Sequence, residues 1–274
     1  MTLHDPTQRH GTALCGIVLH PAGHTRSPAM HAAAYTALGL DARYFVWDVP
    51  PAVLATKIEA LRAEGIRQLS VSIPHKEAII DLIDEVEPTA AKIGAVNTVV
   101  RHGDRLVGSN TDCPGALRAL ERAGTMKGRR AVVLGAGGAA RALVFGLIEA
   151  GASVTVLNRT VSRAEELARE LGAEAGPLEA LADLDHDVLV NTTSVGLKSD
   201  ESPVPASSLR AGSIVMDAVY DPPMTRLLRD AEAAGATTVG GKWMLVYQGA
   251  LQLEAWADVE APVDVMSAAF DTAG

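Results

Sequence analysis

The chain has 274 residues, room for one large domain or two ordinary ones. Apolar residues make up 48% and aromatics only 4%, so Ala, Val and Leu build the core; this excludes a disordered chain and suits helices packed over parallel strands. The net charge of −9, from 24 basic and 33 acidic side chains, repels nucleic-acid phosphates and anionic membranes, so neither is an expected partner.

The opening stretch, "MTLHDPTQRHG", lacks an apolar run, so no signal peptide is expected. No segment approaches the ~20 apolar residues of a membrane helix, and a soluble cytoplasmic protein is the expectation. "ALCGIVLH" (13–20) reads as a strand. "SPAMHAAAYTALG" (27–39) reads as a helix with Ser27 at the N-cap, Pro28 in the first turn and Gly39 as the stop. "ARYFVWDV" (42–49) is strand-like, "PAVLATKIEALRAEG" (51–65) is a helix, and "QLSVSI" (68–73) is a strand with a helix expected from Pro74. "VNTVVRHGDRLVGSN" reads as two strands about a His102-Gly103-Asp104 turn. Turn formers collect in "SNTDCPG", a natural boundary near 110–113.

A second series follows. A helix (112–123) leads to the strand "RAVVLG", a helix from Gly137, the strand "SVTVLN" and a helix from Thr160. Then come "DVLVN", "SIVMDA", a helix near 224–234, "TTVG", and a long amphipathic helix (243–257). Repeated strand and helix with β-branched strands is the pattern of a doubly wound α/β sheet. Cys15 and Cys113 have neither CxxC nor metal-ligand spacing and read as small buried apolar residues.

"VVLGAGGAARAL" carries the densest chemistry. It fits G-x-G-x-x-A at Gly135, Gly137 and Ala140, after an apolar strand and before a helix. The first glycine permits the tight turn, the second lets backbone reach a pyrophosphate, and the alanine allows close helix-strand packing. The helix N-terminus adds free N–H groups. The segment therefore reads as the phosphate cradle of a Rossmann dinucleotide site. The next strand ends in Asn158-Arg159-Thr160, with Arg163 beyond. NAD sites place an acid there to hold the ribose 2′-hydroxyl; here stand arginines suited to a 2′-phosphate, so NADP is expected over NAD. The competing reading of both arginines is a pair of solvated charges at a helix start.

Lys76 in "SVSIPHKEA" would by itself read as a surface charge. Its companions change that reading: Thr25 and Ser27 in "GHTRSPAMH", Asn97 in "GAVNT", Asp112 in "SNTD" and Gln248 in "MLVYQG". Together with "NRTVSRAEELA", "NTTSVG", "DAVYDPPMTRLL" and "GGKWMLVYQGALQLE", these motifs resemble the shikimate dehydrogenase family, in order and over nearly the whole chain.

The resemblance implies an NADP-dependent reduction of 3-dehydroshikimate to shikimate, on the route through chorismate to aromatic amino acids. It implies a substrate domain (1–111, with 243–274 packing back on it) and a Rossmann NADP domain (112–242). It also implies a small-molecule substrate, no metal, and a monomer or homodimer. By position, Lys76 and Asp112 match the catalytic pair. Thr25 and Ser27 match the hydroxyls that hold the substrate carboxylate, and Ser72, Asn97, Tyr220 and Gln248 match other substrate contacts. Gly135, Ala136, Gly137, Gly138 and Ala139, with Asn158, Arg159, Thr160 and Arg163, match the NADP contacts, and Ala218 and Gly241 flank the nicotinamide. Ketone reduction leaves negative charge on oxygen, and a lysine beside that oxygen can neutralise and protonate it.

Some residues depart from the family pattern. Ser70 stands where many members have Asn, Ser72 replaces a usual threonine, and Cys113-Pro114 follow the aspartate. Trp243 occupies a position where glycine is frequent; its indole either crowds the nicotinamide or packs between the domains. Arg26, His24 and His75 read as solvated, rim or structural groups. A quinate or aminoshikimate dehydrogenase is the near alternative. A non-catalytic NADP-sensing module is the alternative of another class, and a methylene-folate or amino-acid dehydrogenase shares architecture only. Two crossings between the domains, near 111 and 242, make hinge motion an expectation.

Overall fold

The computed structural model describes residues 12–23 and 25–273. His24 and the opening stretch lie outside the described residues. Two six-stranded sheets organise the chain. The first contains β1 (Ala13–Leu19), β2 (Ala42–Asp48), β3 (Gln68–Val71), β4 (Glu85–Val86), β5 (Thr98–His102) and β6 (Arg105–Ser109), in the order β2-β1-β3-β5-β6-β4. β1 runs parallel to β2 and β3, while β5 is antiparallel to β3 and β6.

Three helices belong to this half: α1 (Ser27–Leu38), α2 (Leu54–Ala63) and α3 (Pro88–Ile93). Leu54, Ile58 and Leu61 of α2 share a core with Val18, Leu69 and Val99. Cys15, on the opposite face of β1, joins Met30, Ala34 and Tyr35 of α1. β1 is thus covered on both faces, which explains its unbroken apolar run.

The second half begins with α4 (Asp112–Glu121) and continues through β7 (Arg130–Leu134), α5 (Gly138–Glu149), β8 (Ser153–Leu157), α6 (Val161–Leu171) and β9 (Glu174–Gly176). β10 (Val188–Asn191), β11 (Ile214–Asp217), α7 (Arg226–Ala233) and β12 (Thr237–Val239) complete it. The strands are all parallel, in the order β12-β11-β10-β7-β8-β9. This is the doubly wound order expected, and its direction reverses between β7 and β10. At such a switch point the loops part and leave a crevice beyond the strand ends. α8 (Gly241–Ala257) then packs on α4, α1, β3 and β5, and α9 (Val263–Thr272) packs on α1 and α8.

Four local differences from the sequence prediction have physical causes. No α-helix starts at Pro74: turns occupy 73–77, and a short 3₁₀ segment, Ala78–Leu82, follows. The Lys76 carbonyl, which a helix would bond to Ile80, instead accepts from Val96 N–H at 2.8 Å. β4 and β9, of 2 and 3 residues, are too short to show a period. α9 is absent from the prediction although its two buried residues, Met266 and Phe270, are four apart. Ser27 is not the N-cap of α1 but its first helical residue; Arg26 holds the cap position without a side-chain capping bond.

Candidate active site

Lys76 stands in the turn after β3, beyond the last residue paired with β1. Ser72 N–H to Val18 O, at 3.0 Å, ties the start of that turn to the sheet. Asp112 opens α4, where unpaired helix N–H groups favour a carboxylate. The two side chains meet: Nζ donates to Asp112 Oδ2 at 2.6 Å, with the lysine side chain 12% exposed and the aspartate 6%.

Asn97 orients the carboxylate. Its Nδ2 donates to Asp112 Oδ1 at 2.8 Å, and its Oδ1 accepts from Thr111 N–H at 2.7 Å and from the Thr98 hydroxyl at 2.9 Å. Two donors on the amide oxygen dictate which way the amide faces. Gln248 Oε1 lies 3.3 Å from the same nitrogen. A desolvated ion pair is costly unless its remaining lone pairs are satisfied; here both carboxylate oxygens have a donor.

Thr25, Ser27 and Tyr220 form another wall of the same cleft. Thr25 Oγ1 accepts from Ser27 N–H at 3.3 Å, so Thr25 rather than Ser27 satisfies a free N–H at the start of α1. Burial pushes the Tyr220 phenol upward, while Thr25 and Arg26 pull it back. Arg26 is not a solvated charge: it donates to the Phe270 carbonyl at 2.7 Å and lies over that ring at 4.6 Å, which anchors the loop to α9. His75 is buried, and its Nε2–H donates to Val49 O at 2.7 Å; burial lowers its proton affinity. Both cysteines are buried and free, and burial raises each thiol to about 11.

The cleft, of about 190 Å³, is lined by Thr25, Ser27, Ser72, Lys76, Asn97, Asp112, Tyr220 and Gln248, and by Ala139, Ala218 and Gly241 from the second half. The glycine turn adjoins it. Gly135 has φ 108°, and a Cβ there would lie 2.6 Å from Thr192 Oγ1. At Gly138 a Cβ would come within 3.0 Å of Lys76 Cβ, so the lysine stem lies against the first turn of α5. Ala136 follows Gly135 in the turn, and Gly137 is the exposed N-cap of α5, with nothing within 4 Å of where its Cβ would stand.

Free N–H groups therefore open beside Lys76 where a dinucleotide pyrophosphate binds in such sheets. At the end of β8, Asn158 Nδ2 donates to Thr160 O at 2.9 Å, and Thr160 holds the N-cap position of α6 without a side-chain capping bond. Arg159 and Arg163 are exposed and form no ion pair among the described residues. Backbone donors, absent side chains and two uncommitted guanidinium groups fit a phosphorylated dinucleotide.

Trp243 faces away from the cleft. It stacks on Tyr247 with ring centroids 5.6 Å apart, and the Arg122 guanidinium lies 4.0 Å above it. Trp243→Ala is expected to destabilise the fold by about 1–2 kcal/mol and leave the Kd for NADP within about twofold. Urea unfolding and nucleotide titration of the variant check both parts; a large loss of NADP affinity would place the indole in the site after all.

Sequence reasoning missed several polar groups here. Thr98 and Thr111 orient Asn97, and Gln252 lines the cleft wall. Asp217 is fully buried and accepts from Asn191 Nδ2 at 2.9 Å, Val219 N at 3.0 Å and Thr225 Oγ1 at 2.7 Å, pinning the Ala218 loop to β10. Burial pushes its carboxyl up, against those three donors. Gln252 alone carried a legible signal, standing four residues beyond Gln248 on one helix.

Comparison with known proteins gives the family. The model of the shikimate dehydrogenase substrate binding domain matches residues 17–99, that of shikimate / quinate 5-dehydrogenase matches 118–199, and that of the shikimate 5′-dehydrogenase C-terminal domain matches 241–269. The NADP(+) shikimate dehydrogenase of Haloarcula marismortui is 49% identical over 255 residues, 92% of this chain and 96% of that protein. The chain belongs to the shikimate dehydrogenase family. The family's enzyme from Natronomonas pharaonis is likewise 49% identical, over 93% of this chain and 97% of its own. The shikimate 5-dehydrogenase of Thermus thermophilus, solved with NADP(H) and shikimate, superposes with a TM-score of 0.89 at 42% identity, covering 96% of this chain and 100% of that one. Among the described residues no helix is long and apolar enough to cross a membrane, and no cluster of ligating side chains suits a metal ion.

Proposed function

We propose that the chain is an NADP-dependent dehydrogenase that reversibly reduces 3-dehydroshikimate to shikimate, with Lys76 and Asp112 moving the proton. It acts in the cytoplasm, in the biosynthesis of chorismate and aromatic amino acids. Residues 1–111, joined by 243–274, hold the substrate, and 112–242 hold the nucleotide. The observation that carries this reading is the buried Lys76–Asp112 pair, 2.6 Å apart and packed against Gly138 of the glycine turn.

NADPH, when bound along Gly135 to Ala139 with Ala218 and Gly241 at its reactive end, supplies the hydride. Lys76 neutralises the charge that develops on the substrate oxygen and gives it a proton. Asp112 holds the ammonium in place and compensates its charge in a cleft with little water. Asn97 keeps that carboxylate from rotating. Thr25, Ser27 and Tyr220 hold the substrate carboxylate beside the N-terminus of α1, where an anion is favoured. Ser72 and Gln248 contact the ring hydroxyls. In the reverse direction the same pair accepts the proton.

The test is NADP reduction followed spectrophotometrically with shikimate, repeated with quinate and with NAD. Turnover should be fastest with shikimate and NADP; no turnover despite tight NADP binding would replace the enzyme with a sensing module. Arg159 and Arg163 are assigned to the 2′-phosphate. Charge-assisted bonds are worth about 1.5–3 kcal/mol each, so Arg159→Ala should shrink the NADP-over-NAD preference in kcat/KM about tenfold or more, and Arg163→Ala should add to it. An unchanged preference in the double variant would return both arginines to plain surface charges.

A further inference from the structure

Gln252 lies one helical turn beyond Gln248 on α8, so both carboxamides project from one face. Both line the cleft, and Gln252 is the more deeply buried, 2% exposed against 7%. A buried carboxamide brings two N–H donors and two oxygen lone pairs that need partners. The Gln252 oxygen accepts from the Ser70 hydroxyl at 2.9 Å, and its nitrogen donates to the Asn97 carbonyl at 3.2 Å. One donor and one lone pair are thereby committed, and one of each is left.

Ser70 decides which way this amide faces. Although it too lines the cleft, its oxygen already accepts from the Tyr44 hydroxyl at 2.8 Å and from Gln68 Nε2 at 3.0 Å. With both lone pairs filled, its single proton goes to Gln252 Oε1, and nothing remains for a ligand. Ser70 is therefore an orienter, and Gln252 is the group it orients. Tyr44, which fixes Ser70, also interacts with Ser27 of the hydroxyl loop. A polar chain of hydrogen bonds thus runs under the cleft from Tyr44 through Ser70 and Gln252 to Asn97. The fully buried His31 ring feels the Gln252 amide, yet neither of its nitrogens has a hydrogen-bond partner among the described residues. The second N–H of Gln252 thus has no partner of ordinary hydrogen-bond geometry among the described residues, and the side chain lines the cleft.

The geometry points to Gln252 as a second substrate-reading carboxamide, donating its free N–H to an oxygen of the bound hydroxylated ring acid at the Ser27 end of the cleft. This assignment rests on the function proposed above. It explains why a long polar side chain is kept in a wall otherwise shared with Ile17, Val71 and Met244. A donor at this position favours substrate and transition state equally, so it acts on KM rather than kcat.

Gln252→Leu removes the donor, and Gln252→Glu replaces it with a carboxylate facing the substrate anion. The KM for shikimate should rise about tenfold in the leucine variant, the effect of one lost hydrogen bond, and further in the glutamate variant. The KM for NADP should stay at the wild-type value, and kcat should remain within about threefold. Ser70→Ala frees the amide to rotate and should raise the same KM by about threefold; it decides the matter if neither Gln252 variant folds. Wild-type KM for shikimate in the folded Gln252 variants, or in Ser70→Ala when those do not fold, overturns the assignment. So does a parallel rise in both KM values with a lowered Tm, the mark of a merely structural role. A wild-type enzyme that fails to oxidise shikimate at all would instead overturn the function.

Discussion

Lys76→Ala is expected to lower kcat for shikimate oxidation by about 10²–10⁴-fold, the range of a general acid-base group. The size follows from the site: no other cationic side chain lines the cleft among the described residues, so no group stands ready to replace it. Asp112→Asn is expected to cost a similar factor. Asparagine keeps the shape, but its amide nitrogen must face either Lys76 Nζ or Asn97 Nδ2, and both of those are donors. The double variant should be little worse than the more damaged single one, because residues acting as one unit lose their function together. Steady-state kinetics of the four proteins measures this cycle. Wild-type turnover in Lys76→Ala, or fully multiplicative losses, would show that the pair does not move the proton as a unit. Loss of Lys76 also leaves a buried carboxylate without its cation, so thermal unfolding of each variant separates a kinetic from a folding defect.

Acidification from pH 7 to 4 is expected to remove about 3 kcal/mol of stability through His31 alone. The ring is fully buried, and desolvation lowers it from 6.5 to about 4 in the native state. Between those two values the unfolded chain binds the proton and the folded chain does not. Stability from this residue is therefore complete above about 6.5 and is lost as pH falls toward 4, at about 1.36 kcal/mol per unit. His75 and His186 are also lowered by burial and add slope of the same sign. Urea unfolding at several pH values, for the wild type and for His31→Leu, tests the share of His31. The variant should have the shallower dependence, with the residual slope of the other histidines and, near pH 4, of the carboxylates held low by arginine or backbone N–H groups. Parallel curves would mean that the ring finds a proton acceptor in the native state. The His31 ring stacks on Tyr44 with centroids 4.3 Å apart, so a charge there would also disturb the wall carrying Ser70.

The elements most legible in the sequence were those dictated by short-range physics. The apolar runs of β7, β8 and β10 need no partner to be identified as strands, because both faces of a parallel sheet are covered. Gly135 and Gly137 mark the nucleotide turn, because there the backbone must turn tightly and leave room for phosphate. Lys76, Asp112, Asn97 and Gln248 could be singled out by motif. The turn at Pro74 could not be read in the same way: a helix was expected there, and a bond from Val96, twenty positions away, forms instead. The orientation of Trp243 is equally undecided in the sequence, and is set by the Arg122 guanidinium and the Tyr247 ring packed against it.

Local sequence thus sufficed for the strands, the glycine cradle and the side chains proposed to react, since propensity, patterning and turn chemistry are properties of neighbouring residues. The meeting of Lys76 with Asp112, the amide that faces them, and the polar chain from Tyr44 to Gln252 belong to the folded molecule. Each depends on hydrogen bonds between elements far apart in the chain; the last is set only when α8 crosses back over the first sheet and brings its carboxamides down onto β3 and β5.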